Sequence, residues 1–250
     1  MVKIENGYFE YEDSLALDGI GLEIKKNEKV ILFGNNGSGK STLLRILGGL
    51  YFLKKGNYFF EDKKITKKSV NKEFRKSVGI LFQNPEAMIF NPTVYDEIAF
   101  SLKEFGFDNI DDRVIEIAKR FEIEKLLKKS PLELSGGEKQ KVMLSAILVY
   151  EPKLLLLDEP TAAMDPKTSG WFVDFMYDID ITCLIATHDL ALGYELSNRA
   201  VVMSEEHKII YDGDMEKLMG DVEVLLKANL IYKPKHNKKR FVNSNYHFHF

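Results

Sequence analysis

Residues Gly34-Asn35-Asn36-Gly37-Ser38-Gly39-Lys40-Ser41-Thr42 set glycines, a lysine and hydroxyls at a spacing suited to holding an anion. They fit the pattern G-x-x-x-x-G-K-[ST]. Glycines let the backbone turn back on itself and approach a ligand, because no Cβ intervenes. Such a turn points several N–H groups inward as a nest. A helix beginning at its end adds a partial charge of about +0.5 at its N-terminus. Lys40 brings a full positive charge to β- and γ-phosphates, and the Ser41 hydroxyl is placed to ligate Mg²⁺. The alternative reading is a Gly-rich turn ahead of an ordinary helix.

Further groups have a reason to gather around such a phosphate. Leu154-Leu155-Leu156-Leu157 runs directly into Asp158-Glu159 and Pro160. Acids at the end of a buried strand are costly unless they serve a cation or a proton transfer. Asp158 is placed to hold Mg²⁺ and Glu159 to polarise an attacking water; helix-capping acids are the structural alternative. A second apolar run, Ile181 to Ala186, ends in Thr187-His188-Asp189; a lone histidine is more often structural, but a place at a strand end beside those acids points His188 towards sensing a γ-phosphate. Gln83 follows Gly79-Ile80-Leu81-Phe82, at the lip of a sheet where ligands bind, although Asn84-Pro85 also describes a surface turn. Ser135-Gly136-Gly137-Glu138 has capping-box spacing, and its glycines leave a bare helix tip, a second anion site of the same physical kind. Tyr11 precedes the loop; stacking on a purine and packing on a strand both remain open for it.

The elements that must position these groups are legible in outline. Lys29–Phe33 reads as a short buried strand entering the loop, and Thr42–Leu47 as a helix leaving it, ended by Gly48-Gly49. Residues 2–33 alternate apolar and polar with breaks at Gly7, Gly19 and Gly21, so Tyr8–Tyr11 and Ile20–Ile24 are expected as antiparallel strands joined by a loop. Gly56–Phe60 and the polar turn 61–64 continue the β material. From Thr93 to Leu127 the period becomes helical. Val94, Ile98 and Leu102 share one face and Val114, Ile117, Ala118 and Phe121 another, with a break at Gly106/Asp108. This predicts a helical subdomain, about residues 86–150, inserted in an α/β fold. Trp171, Phe172 and Phe175 suit a helix on the sheet. Ala200–Met203 and Lys208–Tyr211 form a final β pair, followed by a short helix from Asp214 to Met219.

Composition narrows the class. Hydrophobic residues at 45% supply a sizeable core, while 29% charged residues and a net charge of −3 do not describe a nucleic-acid binder by bulk electrostatics. Cys183 stands alone, which excludes a disulfide framework and a cysteine zinc site; it reads as a small buried apolar residue. The start, Met1-Val2-Lys3-Ile4-Glu5, shows no signal-peptide pattern. No apolar run approaches the ~20 residues that span a bilayer. The chain is therefore expected in the cytosol, reaching a membrane through a partner. The basic stretch Lys233–Arg240 and the closing His247-Phe248-His249 are read as a mobile, solvated tail, with anionic lipid or a metal as alternatives.

Taken together, the loop 34–42, Gln83, Leu134–Gln140, Asp158-Glu159, Asp165 and His188 resemble an ABC-type ATPase over about residues 2–220. The resemblance implies a P-loop NTPase (RecA-like) core with an N-terminal antiparallel β subdomain and an inserted α-helical subdomain, spanning 1–232, with 233–250 as the tail. It implies that Tyr11 stacks on the base, and that residues 35–42 with Gln83 bind ATP. Ser41, Gln83 and Asp158 are then the Mg²⁺ residues, Glu159 the catalytic carboxylate, His188 the switch histidine and Asp165 the D-loop acid. Ser135, Gly136, Gly137 and Glu138 become the signature over ATP bound by a partner ATPase, either a copy or a relative. Phe82-Gln83-Asn84-Pro85 and Asn91-Pro92-Thr93-Val94, followed by Glu97-Ile98-Ala99-Phe100, look like the ATPases of energy-coupling-factor importers of vitamins, cobalt or nickel. Such a subunit sits on the cytoplasmic face of the membrane against an integral membrane partner, with no nucleic acid. The chain departs from that pattern at Glu86-Ala87-Met88, Lys141 and Met164. A soluble ABC ATPase acting on nucleic acid or in translation is the competing class, and a binding module without catalysis the third.

Overall fold

The computed structural model describes residues 1–233 in full and, beyond them, the backbone of two short paired strands, Arg240–Val242 and His247–His249. The expectation of a mobile basic tail falls otherwise on residues outside those described. Two sheets enclose one helix. In the first, β1 (Val2–Glu10), β2 (Leu15–Ile24), β4 (Lys55–Phe60) and β5 (Lys63–Lys64) run antiparallel in the order β2-β1-β4-β5. In the second, β3 (Lys29–Phe33), β6 (Val78–Leu81), β7 (Leu154–Asp158), β8 (Thr182–Thr187), β9 (Arg199–Met203) and β10 (Ile209–Asp214) take the order β10-β9-β3-β8-β7-β6. All its pairs are parallel except β10 on β9.

Strand period explains the layering. Successive residues of a strand point to opposite faces, and in the parallel sheet both faces are covered. Val30, Leu32, Leu154, Leu156, Leu184 and Val201 pack with the first sheet and with Leu43, Leu44, Ile46 and Leu47 of α1 (Lys40–Leu47). Their neighbours Ile31, Phe33, Leu155, Leu157, Ile185 and Val202 belong to a second core on the opposite face. That core is closed by the helices that follow β6. This is why Leu154–Leu157 is uniformly apolar instead of alternating.

A short helix, α2 (Lys72–Ser77), precedes β6, and between β6 and β7 the regular structure is helical, with α3 (Val94–Phe105), α4 (Ile110–Arg120) and α5 (Gly136–Leu148). Val94, Ile98, Leu102, Val114, Ile117, Ala118 and Phe121 are all buried in the second core. Gly106 ends α3 in the left-handed conformation, at φ 71°. After β7 come α6 (Pro166–Asp178), α7 (Leu190–Leu196), α8 (Met215–Gly220) and α9 (Val222–Lys227). Among the described residues no helix is long and apolar enough to cross a membrane.

The mixed α/β fold class is as expected; the N-terminal strands differ in detail. Gly7, Gly19 and Gly21 do not end strands: Gly7 lies inside β1, at a shift in its register with β2, and Gly19 and Gly21 lie inside β2. A Cβ on Gly7 would come within 2.7 Å of Ile4 Cγ2. The strand carries the glycine through a shift of register, which local composition reads as a break.

Candidate active site

The loop 34–42 follows the C-terminal end of β3, an interior strand, and runs into α1 at the carboxyl ends of the parallel strands. Gly39 sits at φ 108°, and a Cβ there would meet the Ala16 carbonyl at 2.2 Å, so the loop folds flat under β2 only with glycine. Asn36 N–H donates to Asn35 Oδ1 (2.9 Å) and Ser38 N–H to the Asn35 carbonyl (3.2 Å), which fixes the first turn. Lys40 is buried, and its Nζ donates to the carbonyls of Gly34 (2.6 Å) and Asn35 (3.2 Å). Burial holds the Lys40 ammonium below the ordinary lysine range, against the opposing pull of Glu159 and Asp158.

An open cleft of about 380 Å³ lies over this loop. Its lining brings together Tyr11, Asn35, Asn36, Gly37 and Gly39 through Thr42 with Gln83, Asp158 and Glu159. Tyr11 stands just past the end of β1. Its hydroxyl shares a 3.0 Å hydrogen bond with Thr42 Oγ1, and its ring meets Phe9 and Tyr51 edge-on while staying partly exposed. Ser38 is buried beneath the loop. Gln83 follows β6 and is exposed to the cleft.

The end of β7 delivers the acids Asp158 and Glu159, and the end of neighbouring β8 delivers Thr187 and His188. Burial pushes the Asp158 carboxyl upward, while a hydrogen bond from Ser41 pulls it down. Hydroxyl, amide and carboxylate oxygens of Ser41, Gln83 and Asp158 form a hard donor set, which fits Mg²⁺. Glu159, 7% exposed, lies in the left-handed region at φ 47°. A non-glycine residue there costs of order 1–3 kcal/mol and is held by its surroundings. The hold is visible: Glu159 N–H donates to the Ala186 carbonyl (2.9 Å), Thr187 Oγ1 donates to Oε2 (3.1 Å), and His188 Nδ1 lies 2.7 Å from Oε1. The Glu159 hydrogen bond pushes the His188 imidazole above its ordinary value, with burial opposing. His188 itself does not line the cleft; it reaches it through Glu159.

Ser135, Gly137 and Glu138 border a different pocket, with Lys141, Thr168 and Trp171. Ser135 and Glu138 form the full capping box: Ser135 Oγ accepts from Glu138 N–H (3.4 Å), and Glu138 Oε2 accepts from Ser135 N–H (2.9 Å). Gly136 abuts Ala163, whose carbonyl would lie 2.7 Å from an added Cβ. Asp165 caps α6, accepting from the Thr168 N–H (3.0 Å) and hydroxyl (2.9 Å). These bonds hold its carboxyl below the usual range. Ser135–Glu138 and Asp165 thus do not line the phosphate-loop cleft of their own chain.

The model of the ABC transporter family matches residues 17–162, the stretch from β2 through the acids of β7. The chain belongs to that family. An energy-coupling factor transporter ATP-binding protein EcfA of Methanocaldococcus jannaschii is 38% identical over 238 residues, covering 92% of this chain and 85% of its own. A Caldanaerobacter subterraneus protein, provisionally named an ABC transporter ATP-binding protein, is 42% identical over 231 residues, covering 90% and 96%. Among solved structures, cbiO1 of Clostridium perfringens, part of the ABC transporter complex cbiONQ, superposes with a TM-score of 0.78 at 35% identity, covering 92% and 94%. The chain is accordingly an ATP-binding ABC ATPase of a transporter.

Two residues of this ABC ATPase site are missing from the sequence reading. Thr187 clamps Glu159 from the end of β8 and also accepts from Asp189 N–H (3.1 Å). His207 lines the cleft from the turn between β9 and β10, with Nδ1 3.3 Å from the Ser38 carbonyl. Thr187 had a signal, a hydroxyl beside His188 at a strand end. His207 had none, because only the strand order brings its turn to the loop.

Proposed function

We propose that the chain is the ATP-hydrolysing subunit of an energy-coupling-factor importer for a metal ion such as cobalt or nickel, or for a vitamin. The observation that carries hydrolysis is Glu159, buried, strained and oriented by Thr187 and His188 at the edge of the phosphate-loop cleft. The likeness to EcfA and to cbiO1 supports the importer type.

In this reading Tyr11 stacks on the base, and residues 35–42 hold the phosphates. Lys40 exchanges its loop carbonyls for β- and γ-phosphate oxygens. Phosphoryl transfer passes through a loose transition state, so positioning and charge stabilisation do most of the work. Glu159 orients the attacking water and accepts its hydrogen bond; His188 keeps that carboxylate aimed and senses the γ-phosphate. Mg²⁺, held by Ser41, Gln83 and Asp158, would neutralise charge on the phosphate oxygens. Ser135–Glu138, apart from their own cleft, cover ATP bound by a second ATPase subunit, with Asp165 at the contact. The membrane partner docks on the helical region, placing the chain at the cytoplasmic face of the membrane.

The test is co-expression with a candidate membrane subunit and reconstitution into vesicles. ATP should drive uptake of labelled cobalt, nickel or vitamin, and uptake should vanish with Lys40→Ala. ATP turnover with no association to any membrane subunit would instead favour a soluble role.

A further inference from the structure

The turn between β9 and β10 is fastened to the phosphate loop and to β2. Asp18 N–H donates to the His207 carbonyl (2.9 Å), Lys208 pairs with Asp18 (3.1 Å), and Asn35 Nδ2 donates to Glu205 Oε1 (3.3 Å). His207 holds φ 61°, a left-handed conformation that glycine adopts freely and histidine does not. The turn thus keeps an imidazole where a smaller residue would fit the backbone better. That imidazole is half-buried and lines the cleft, its Nδ1 on the Ser38 carbonyl. Within the described lining, Lys40 and His207 are the residues able to carry positive charge.

We propose that His207 is a nucleotide-contacting residue, whose imidazolium donates Nδ1–H to the Ser38 carbonyl and its second N–H to the polyphosphate. This rests on the reading of the cleft as the ATP site. The phosphate end is the better match than the base end. Ser38 lies in the middle of the loop, whereas Tyr11 meets the loop at Thr42. A carbonyl at Nδ1 requires a hydrogen on that nitrogen, so a ring that also donates from its other nitrogen is an imidazolium. The resulting charge-assisted bonds add to those of Lys40.

The test titrates the full chain with fluorescent ATP, ADP and adenosine analogues. His207→Gly suits the backbone and removes the ring; His207→Gln keeps a neutral polar group; His207→Lys keeps a charge. Expected is a rise in Kd for ATP and ADP of about three- to tenfold in the Gly and Gln variants, with adenosine unchanged and Lys recovering most of the loss. Wild-type ATP affinity in His207→Gly overturns the proposal, as do equal losses for ATP and adenosine or a Lys variant no better than Gln. Lys40→Ala, measured alongside, separates the two levels. If it too binds ATP normally, the cleft is not the ATP site; if it alone fails to bind, only the role of His207 falls.

Discussion

At the scale of residues, Glu159 concentrates the chemistry. Its carboxylate has a hydroxyl on one oxygen and an imidazole on the other, and its backbone is strained. Glu159→Gln keeps the side-chain volume and can still accept from Thr187, but it loses the charge proposed to polarise water. Turnover is expected to fall by about 10²–10⁴, or roughly 3–5 kcal/mol of barrier, with ATP affinity retained. Single-turnover hydrolysis and nucleotide binding, measured on the same preparation, check it; normal turnover would remove Glu159 from its role. The acid pair was legible because two carboxylates at the end of an apolar strand are expensive. The left-handed φ of Glu159 and its clamp were not, since both depend on β8 lying beside β7 in register, with Asp158 opposite Ala186. His207 illustrates the same limit more strongly: β9 follows β8 in the chain yet pairs with β3, and that pairing carries its turn to the loop.

At the scale of elements, the residues that cap α5 are also the ones proposed to cover ATP bound by a partner. The capping box satisfies the helix end from within, and Lys139 on its first turn pairs with Glu86 of the 3-10 turn that follows Gln83. The departure of Glu86 from the importer pattern thus has a partner, and so does that of Lys141, whose ammonium lies 4.1 Å from the Trp171 ring centre. Ser135→Ala removes a cap worth about 1 kcal/mol, which lowers the melting temperature by about 2–4 °C in a domain of this size. Ser135→Thr should restore it. ATPase activity in Ser135→Ala should fall well beyond what the lost stability explains, if the tip also faces a partner's ATP; parallel melting and turnover curves separate the two. Helix faces and caps such as these were legible from period and spacing. The register shift at Gly7 was not, because a glycine inside a strand and a glycine ending one have the same local composition.

At the scale of the whole molecule, the proposed transport role requires a surface that a membrane subunit can engage. The stretch after Gln83 ends in Phe90, which is 64% exposed and packs edge-on, at 4.7 Å between ring centres, against Phe100 of α3, 40% exposed. Two aromatic rings at the surface are held there by the fold beneath them: Glu97, buried, accepts from the N–H groups of Phe90 (3.1 Å) and Asn91 (2.9 Å). A carboxylate buried against backbone amides fixes the segment between the cleft and α3. Apolar rings on a firm base suit the apolar face of a short helix from a membrane subunit. Phe90→Ser combined with Phe100→Ser should therefore leave ATP binding and the melting temperature near wild type while reducing co-purification of the membrane subunit and uncoupling uptake from hydrolysis. Glu97→Gln should weaken coupling with the rings still present, because it loosens the base and not the contact. Full co-purification and full uptake in the double serine variant would place the docking surface elsewhere on the subunit.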